Sequence, residues 1–480
     1  MTQSEREDQK IETDAAETAT VEPEAIPEAV DELNSTLVEA VEDALDREDG
    51  ADVRRLIEPL HDADVADLIQ QLGTDERRQF VKTIRMELHP DILSEVDDEV
   101  REDIIEQLGP ERTAAAIAEL ETDDAIDVIA ELDEDDRQQV LDAIPAADRA
   151  LIEEGLAYPE DSAGRLMQRE LVVVPVFWTV GETIDFLRRT ADDDPDRLPE
   201  DFFDIFIVDP AYHPVGALSL SHLLRSRRYV PVTEIMQPEL KVITTVTDQE
   251  EVAFLFRQRD LTSAPVVDKH GRLVGVITID DVVDVIDEEA EDDIMRLGGV
   301  QQDDFYTDAA KTVRSRFAWL VVNLGTAILA SLVIGAFDAT IEQMVALAVL
   351  MPIVASMGGN AGTQSLTVAV RALATKELTA ANATRVIGKE LVVGGVNGVL
   401  FAILCGIVAW LWFGDVAVAV VLGMAMIINM VVAALAGPLI PLALERVGVD
   451  PAVASGVFLT TVTDVVGFFA FLGLAAVLIL

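Results

Sequence analysis

The chain has 480 residues, half of them hydrophobic, and a formal net charge of −53 at pH 7. Such acidity excludes nucleic acid as a partner, because its phosphate backbone requires basic surfaces, and the single cysteine, Cys405, excludes an intrachain disulfide. Residues 311–480 carry eight basic and eight acidic side chains, so the whole net charge lies in residues 1–310. The composition therefore predicts an acidic soluble part joined to a neutral apolar part.

Residues 1–34 are predicted to form a disordered acidic tail, because they are rich in Glu, Ala, Thr and Pro. The first residues contain no apolar stretch after a basic start, so we expect no signal peptide. Two explanations of the acidity are open: a surface adapted to very high salt, or selected clusters that bind divalent cations. Both can apply to one chain.

Residues 35–157 are predicted to form an α-helical domain. Short amphipathic units such as ADVADLIQQL, VREDIIEQL and DDAIDVIAEL are separated by Gly, Pro and acidic turns and recur loosely, as in a small superhelical stack. Asp123 and Asp127 lie four residues apart and would share one face of a helix. By themselves they are equally explained as part of a solvated acidic face.

Residues 158–288 contain a repeat. MQREL at 167–171 returns as MQPEL at 236–240, and IVDPAYHPVGALSLSHLL at 207–224 returns as VVDKHGRLVGVITIDDVV at 266–283. Each copy predicts strand, helix, strand, turn, strand and helix, an α/β order that resembles the CBS domain. We place the first module at 158–228 and the second at 229–288, and we expect them to pack as a pair.

CBS pairs that bind adenine nucleotides carry Gly-x-x-Thr/Ser-x-x-Asp after the third strand. The second copy has this pattern in Gly275, Thr278 and Asp281, so Thr278 and Asp281 are candidate contacts for a nucleotide. The first copy has His222 in place of the acid, and nucleotide binding is not predicted there. The alternative is a pair that binds no nucleotide and only transmits a change of shape.

An acidic stretch, DDVVDVIDEEAEDDIMRLGG at 280–299, leads from the second module toward the apolar part. In a helix, Asp280, Asp284, Asp287 and Glu291 share one face, where like charges repel unless cations lie between them. We predict a cation sensor here, with adaptation to salt as the alternative. Residues 289–316 are predicted to form a connecting helix.

Five apolar stretches follow Arg316, at about 317–337, 343–370, 391–414, 416–444 and 452–480, and each can cross a bilayer as a helix. Residues 317–480 are therefore predicted to form a five-helix transmembrane domain. Basic residues flank the spans on one side only, which places the N-terminal domains in the cytoplasm and the C-terminus outside. Five spans suit a pore formed between identical protomers.

The last span carries Asp464, the only ionisable side chain deep within a span, with Thr460 one turn before it. A charge at the membrane centre costs about 2.5–3.5 kcal/mol on insertion scales, so such a residue usually faces water or a partner. The spans contain no basic residue that could pair with it, although a structural role beside a hidden polar neighbour is the alternative. We predict that Asp464 lines an ion path.

The second span reads MPIVASMGGNAGTQS, and its Pro352, Gly358, Gly359 and Gly362 predict a helix that is broken in mid-membrane. Freed carbonyls, with Asn360, would then offer oxygen ligands, whereas close helix packing through small residues is the alternative. Oxygen ligands and one carboxylate per chain suit a hard cation, and a two-fold dimer would bring two carboxylates to one divalent ion. Composition alone does not separate Mg²⁺ from Mn²⁺ or Co²⁺.

The order of these parts, with YPEDSAGRLM, PIVASMGGNAGTQS and DPAVASGVFLTTVTDVVG, is similar to the MgtE family of magnesium channels and transporters over nearly all of residues 35–480. The resemblance implies a homodimeric Mg²⁺ channel of the cell membrane, not an enzyme, that imports magnesium and closes when cytosolic Mg²⁺ is high. The pore aspartate of the family falls on Asp464, and the backbone oxygens of the ion site fall near Gly359, Gly362 and Thr460. The regulatory Mg²⁺ ligands fall on Asp281, Asp284, Glu289, Asp292, Asp293, Asp123 and Asp127. Family members can bind ATP between the CBS modules, which implies ATP as a regulatory ligand.

Two rival functions stay open at this point. An ion-coupled carrier of Mg²⁺, Co²⁺ or Mn²⁺ would depend on a Na⁺ or H⁺ gradient, whereas a channel passes current down the electrochemical gradient. A membrane-anchored sensor of nucleotide or salt would transport nothing, and the lone membrane aspartate disfavours it.

Overall fold

The computed structural model describes residues 32–193, 198–199, 202–300, 309–379 and 381–479. The chain divides into two compact units: the first runs to Leu120 and includes Asp127–Arg149, and the second contains Glu121–Ile126 and everything from Ala150 onward. Most of the predicted tail, up to residue 31, lies outside the described residues. Residues 32–34, predicted as part of that tail, instead begin the first helix.

The N-terminal part is helical, as the sequence predicts. Its helices within residues 32–156 are α1 Glu32–Asp46, α2 Gly50–Ile57, α3 Asp62–Gln71, α4 Thr74–Ile84, α5 Ile92–Glu95, α6 Asp98–Leu108, α7 Pro110–Ile117, α8 Thr122–Ala130, α9 Glu134–Ala143 and α10 Ala146–Leu156. Most are short amphipathic segments that bury one apolar face, so packing and not length stabilises them.

The loose repeat in this part has an arginine as its structural basis. Arg77, Arg101 and Arg137 each donate from Nε to the carbonyl eight residues earlier, at 3.2, 2.8 and 3.2 Å. Each also donates to the carbonyl five residues earlier, at 3.3, 3.2 and 2.9 Å. These carbonyls lie where one helix ends and the next begins, so the guanidinium satisfies acceptors that the helix leaves open.

Two three-stranded sheets form the pair of CBS modules. In chain order the elements are α11 Ala163–Leu166, β1 Val173–Pro175, α12 Val180–Asp193, β2 Asp204–Val208, β3 Pro214–Ser219, α13 Leu220–Arg225, β4 Ile243–Thr244, α14 Gln249–Arg259, β5 Ser263–Val267, β6 Leu273–Thr278 and α15 Ile279–Gly298. In each sheet the first two strands pair in parallel and the last two pair antiparallel. The predicted order of strands and helices is therefore confirmed in both copies.

Each module contributes the segment before its first strand to the other module. Gln168 of MQREL pairs with Val276 on β6, and Gln237 of MQPEL pairs with Ala217 on β3. Met167 is buried in the core of the second module. The two MQ repeats therefore mark exchanged segments, while the module limits at 158–228 and 229–288 stay predictions.

Gly275 on β6 lies directly against one exchanged segment, and this contact yields a prediction. A Cβ atom added there would lie 2.8 Å from both the Gln168 carbonyl oxygen and Met167 Sδ. Since that carbonyl belongs to the backbone pairing, it cannot move aside, and we expect Gly275→Ala to lower the free energy of unfolding by about 1–3 kcal/mol. Thermal unfolding of the detergent-solubilised protein measures this as a lower Tm.

Gly73→Ala is the control, because a Cβ added there would meet only the flexible end of the Glu76 side chain. A Tm that is equally unchanged in both variants would contradict the exchanged packing.

Five long apolar helices follow, which confirms the predicted transmembrane domain. The helices are α16 Ala309–Gly335, α17 Asp338–Gln343, α18 Val345–Ala374, α19 Ala383–Phe413, α20 Val416–Arg446 and α21 Pro451–Leu478, of which α17 is a short helix that the sequence did not predict. The predicted connecting helix at 289–316 is not one described element, because residues 289–298 end α15 and residues 309–316 begin α16.

The predicted break in the second span is wrong, because α18 is continuous through Pro352 and the glycines that follow it. Two of those glycines allow close packing instead. A Cβ at Gly358 would lie 2.1 Å from Asn429 Nδ2 on α20, and one at Gly362 would lie 2.8 Å from Leu459 Cδ1 on α21. The small residues therefore serve helix contact, which was the alternative explanation.

Candidate cation-sensing site and ion path

Three carboxylates of the second unit lie within electrostatic range of one another, and we call Glu121, Asp123 and Asp281 the acidic cluster. Asp123 lies in the first turn of α8 and is only 8% exposed, and among the described residues its Oδ2 has no hydrogen-bond partner. Glu121 directly precedes α8 and accepts a hydrogen bond from Gln168 Nε2 at 2.7 Å. Asp281 lies in the first turn of α15.

The environment of the acidic cluster disfavours its negative charges. Burial raises the pKa of the Asp123 carboxyl well above its usual range, and Asp281, Asp124 and Glu121 raise it further. Burial also raises the pKa of Glu121 to about 7, with a further contribution from Glu170, and raises the pKa of Asp281 to about 6. Surface acids that serve only solubility are solvated, whereas buried like charges require a proton or a cation. The acidic cluster is therefore unlike a solvated surface adapted to salt.

Asp281 also determines where α15 begins. Its Oδ2 accepts hydrogen bonds from Thr278 Oγ1 at 2.7 Å and from Thr278 N at 3.3 Å, which completes a capping box. These are the two side chains that the sequence predicts to contact a nucleotide. One turn later, burial raises the pKa of the Asp284 carboxyl, and the neighbouring Asp280 and Asp287 raise it further.

Asp127 has a different environment from Asp123, although the two share α8. Its carboxylate forms an ion pair with Arg101 NH1 at 3.2 Å, and its side chain is 62% exposed. The charge of Asp127 is therefore already balanced within the first unit. The family resemblance implied one shared role for both residues, and the structure gives them different environments.

The other end of α15 carries the remaining predicted sensor residues. Glu289 accepts a hydrogen bond from Gln249 Nε2 at 3.0 Å. Asp292 pairs with Arg296 at 2.5 Å. Burial raises the pKa of the Asp293 carboxyl, and Asp450 raises it further.

Arg296 connects α15 to the membrane domain. Its NH1 lies 2.6 Å from Asp450 Oδ2, and Asp450 is the N-cap of α21, accepting from Ala452 N at 2.7 Å. The next residue, Leu297, packs against the apolar cluster that α18 and α21 form at this end. Since α15 has 20 residues, it spans about 30 Å and joins the acidic cluster to the start of the helix that carries Asp464.

Asp464 lies in the middle of α21 and is partly exposed in the isolated chain. Among the described residues no side chain donates a hydrogen bond to it or forms an ion pair with it. The Thr460 hydroxyl is exposed and donates back to the Gly456 and Val457 carbonyls at 3.1 Å. Because the Thr460 proton is used in these bonds, its hydroxyl oxygen keeps both lone pairs for an ion.

The predicted residues of α18 divide into two groups. Asn360 is exposed, and no atom lies within 4 Å of a Cβ added at its neighbour Gly359, so this pair faces open space. Gly362 instead is buried against Leu459, the residue before Thr460. That contact sets the two predicted segments side by side, with Gly359 and Asn360 available to an ion and Gly362 occupied by packing.

Comparison with known proteins decides the family. The magnesium transporter MgtE of Thermus thermophilus is 39% identical over 335 residues, which cover 69% of this chain and 73% of that protein. This chain belongs to the MgtE family. The magnesium transporter MgtE of Enterococcus faecalis is 34% identical over 325 residues, covering 68% of this chain and 71% of that one.

Family models and a solved structure cover the same parts of this MgtE family member. The divalent cation transporter model matches residues 351–474, the MgtE intracellular N domain matches 60–161, and the CBS domain matches 232–288. The chain is also similar to the cytosolic domain of the Mg²⁺ channel MgtE crystallised in complex with ATP, at 34% identity and a TM-score of 0.47, over 52% of this chain and 99% of that one. This MgtE family member is thus a membrane protein with five apolar C-terminal helices and soluble N-terminal domains.

Sequence reasoning missed several polar residues of this MgtE chain. Glu121 lies beside Asp123, Glu170 lies beside Glu121, and Arg296 with Asp450 links α15 to α21. The run ETDD at 121–124 was a visible signal for the first group. Nothing in the sequence pairs Arg296 with Asp450, because 154 residues separate them and the contact exists only after folding.

The raised pKa values yield a prediction about the effects of pH and Mg²⁺ on stability. Because the folded-state pKa of Glu121 is about 7 and that of Asp281 is about 6, the folded state binds these protons more tightly than the unfolded state does. The resulting stabilisation is complete below the ordinary pKa values and is lost as pH rises through about 6 to 7. The facing groups, Glu170, Asp280 and Asp284, are all acidic and add to this repulsion.

We therefore expect Mg²⁺ to raise the Tm more at about pH 8 than at about pH 5, where protons already neutralise the cluster. Thermal unfolding at both pH values, with and without Mg²⁺ at constant ionic strength, measures the difference. A Mg²⁺-induced shift of equal size at both pH values would contradict the assignment.

Proposed function

We propose that this protein is a Mg²⁺-selective channel for magnesium uptake, held closed by Mg²⁺ that binds its acidic cytoplasmic domains. The observation that carries the proposal is the course of α15. Its first turn holds Asp281 beside the buried Asp123, and its last turn holds Arg296 on Asp450, the N-cap of the Asp464 helix. One helix, α15, thus connects the acidic cluster to the start of the helix that carries Asp464.

Gating follows from the repulsion within the acidic cluster. Without a cation, ionised Glu121, Asp123 and Asp281 repel one another and favour separation of α8 from α15. Mg²⁺ offsets this repulsion, and carboxylate oxygens are the ligands it prefers. Because the ion binds the compact state more tightly than the separated one, it shifts the population toward the closed form. The Asp123 Oδ2 without a hydrogen-bond partner fits a cation ligand.

Closure would reach the membrane through the junction at the end of α15. Glu289, Asp292 and Asp293 surround the Arg296–Asp450 contact, and Lys376 of the α18–α19 connection lies 4.9 Å from the ring of Phe254 on α14. Because these acids outnumber the one arginine near them, a negative charge remains that Mg²⁺ can balance. We propose that these three carboxylates complete the regulatory set, and that Asp284 belongs with the acidic cluster.

The conducting form is proposed to be a homodimer. One Asp464 supplies a single negative charge, whereas two related by a two-fold axis match a divalent ion. Gly359 and Asn360, which face open space, would line the same path with Thr460. Exposed apolar side chains along α16 and α19, such as Leu320, Leu332 and Ile403, leave surface for lipid and for a second copy. Native mass spectrometry tests the dimer directly.

ATP is proposed as a further regulatory ligand at the second module, where Thr278 and Asp281 match the nucleotide pattern. Because the capping box already uses both side chains, bound nucleotide would act on the start of α15 and hence on the acidic cluster. Thermal unfolding with and without ATP measures the effect of the nucleotide on Mg²⁺ affinity. A shift in Mg²⁺ affinity would support this role, and an unchanged affinity would remove ATP from the proposal.

The competing candidate is an ion-coupled carrier of divalent cations, and transport measurements separate the two. Purified protein in planar bilayers should give unitary currents carried by Mg²⁺ that need no Na⁺ or H⁺ gradient. Saturable uptake into liposomes that requires such a gradient, without unitary currents, would instead support the carrier. Absence of both transport activities would overturn the proposed function.

A further inference from the structure

Asn429 is an isolated polar side chain within the membrane domain. It is the only polar residue between Val416 and Leu444 of α20, and its side chain is fully buried. Polar side chains at membrane depth are rare and are usually functional. The ion path described above makes no use of Asn429.

The Asn429 amide occupies a notch that two glycines form. Its Nδ2 donates to the Val354 carbonyl of α18 at 2.8 Å. A Cβ added at Gly358 of α18 would lie 2.1 Å from Nδ2, and one added at Gly467 of α21 would lie 2.8 Å from it. One side chain of α20 therefore contacts both helices that carry the predicted ion path.

The notch lies close in sequence to the groups that face the ion. Gly358 directly precedes Gly359, and Gly467 follows Asp464 by three residues, nearly one helical turn. The Asn429 amide lies directly against the backbone at both glycines. Since α18 and α21 cannot move closer together there, the amide fixes their separation at this level.

Packing alone does not explain the choice of asparagine. Among the described residues Asn429 Oδ1 is buried without a hydrogen-bond partner, and a buried unpaired acceptor destabilises a folded protein. A leucine has the same branching and would bury no unpaired acceptor, although its methyl groups are larger than the amide. We infer that the asparagine side chain serves the spacing between α18 and α21 and not the stability of the fold.

We propose that Asn429 is a positioning residue for the ion path, which sets the distance between the α18 segment at Gly359 and the Asp464 carboxylate. This inference rests on the proposed function. Mg²⁺ requires near-ideal octahedral geometry and keeps several of its waters, whereas Ca²⁺ is larger and tolerates irregular sites. A fixed aperture therefore discriminates between them, and the spacing that Asn429 maintains is a determinant of selectivity for Mg²⁺.

Asn429→Leu tests the role in selectivity. We expect the variant to insert and fold, and the permeability ratio of Mg²⁺ to Ca²⁺ to fall on the order of tenfold, because small displacements of a positioned site have large effects. The ratio is measured from reversal potentials in bilayers and does not depend on the amount of folded protein. A wild-type ratio in Asn429→Leu would overturn the proposal.

A double-mutant cycle tests the notch itself without any transport measurement. Gly467→Ala should lower the Tm, because the new methyl group collides with the amide. Adding Asn429→Ala should recover much of that loss, so the two changes are not additive. Strict additivity would overturn the proposed contact.

The two experiments separate this inference from the proposed function. A wild-type protein that passes no divalent cation refutes the function, while the cycle still decides whether Asn429 spaces α18 and α21. A wild-type protein that is selective, together with an unchanged ratio in Asn429→Leu, refutes the inference alone.

Discussion

Replacement of Asp464 by asparagine is expected to reduce Mg²⁺ conduction by about a hundredfold or more. The two amides of a dimer would have the shape of the carboxylates without their charge. At an effective dielectric constant of about 20, a divalent ion near a carboxylate interacts with it by several kcal/mol, and each 1.4 kcal/mol is a factor of about ten. Without these two charges, nothing offsets the positive charge of the ion or the waters that it loses on entering the path.

Asp338→Asn is the matched control, because Asp338 is an exposed acid at the start of α17, outside the long helices. Currents should be recorded from equal amounts of each purified variant in planar bilayers. Conduction by Asp464→Asn at the level of the control would remove Asp464 from the ion path and leave the purely structural explanation of this acid.

The second large effect is expected at the acidic cluster, where Asp123→Asn should change two quantities in opposite directions. The Tm of the metal-free protein should rise, because a buried carboxylate with a strongly raised pKa no longer opposes folding. The Mg²⁺ concentration for half-maximal stabilisation should increase about tenfold or more, because one ligand and one charge are lost. Damage to the fold would instead lower the metal-free Tm.

Asp127→Asn, four residues along the same helix, is the control for this experiment. Its carboxylate is exposed and already paired with the buried Arg101, so we expect a change of at most about twofold in the Mg²⁺ requirement. Thermal unfolding of the full-length protein over a series of Mg²⁺ concentrations at constant ionic strength measures both variants. An equal effect of the two substitutions would show that the cations bind without regard to the buried cluster.

The sequence was sufficient to predict the order of domains and the five membrane helices, because hydropathy and the repeated strand pattern are local signals. The exchange of the MQ segments was not predictable in this way. Gln168 and Gln237 occupy equivalent places in the repeat, yet each pairs with the other module. Periodicity locates a strand or helix but does not specify which of two similar cores it joins.

The candidate site, too, could be predicted from local sequence patterns only in part. Asp123 and Asp127 look alike in sequence, but burial and the Arg101 pair give them different charge environments. Pro352 and the glycines after it predicted a broken helix, because they are weak helix formers in water. In the structure, the side chains of α20 and α21 fill the space beside Gly358 and Gly362, and the helix continues.

Closure by cytoplasmic Mg²⁺ is tested by the Mg²⁺ current of the wild-type protein as Mg²⁺ is raised at the face that bears the N-terminal domains. Excised membrane patches allow this concentration to be changed while the opposite face is held constant. We expect the current to fall toward zero as cytoplasmic Mg²⁺ rises and to recover when the ion is removed. A current that follows only the electrochemical gradient, at every cytoplasmic Mg²⁺ concentration, would contradict the proposed closure.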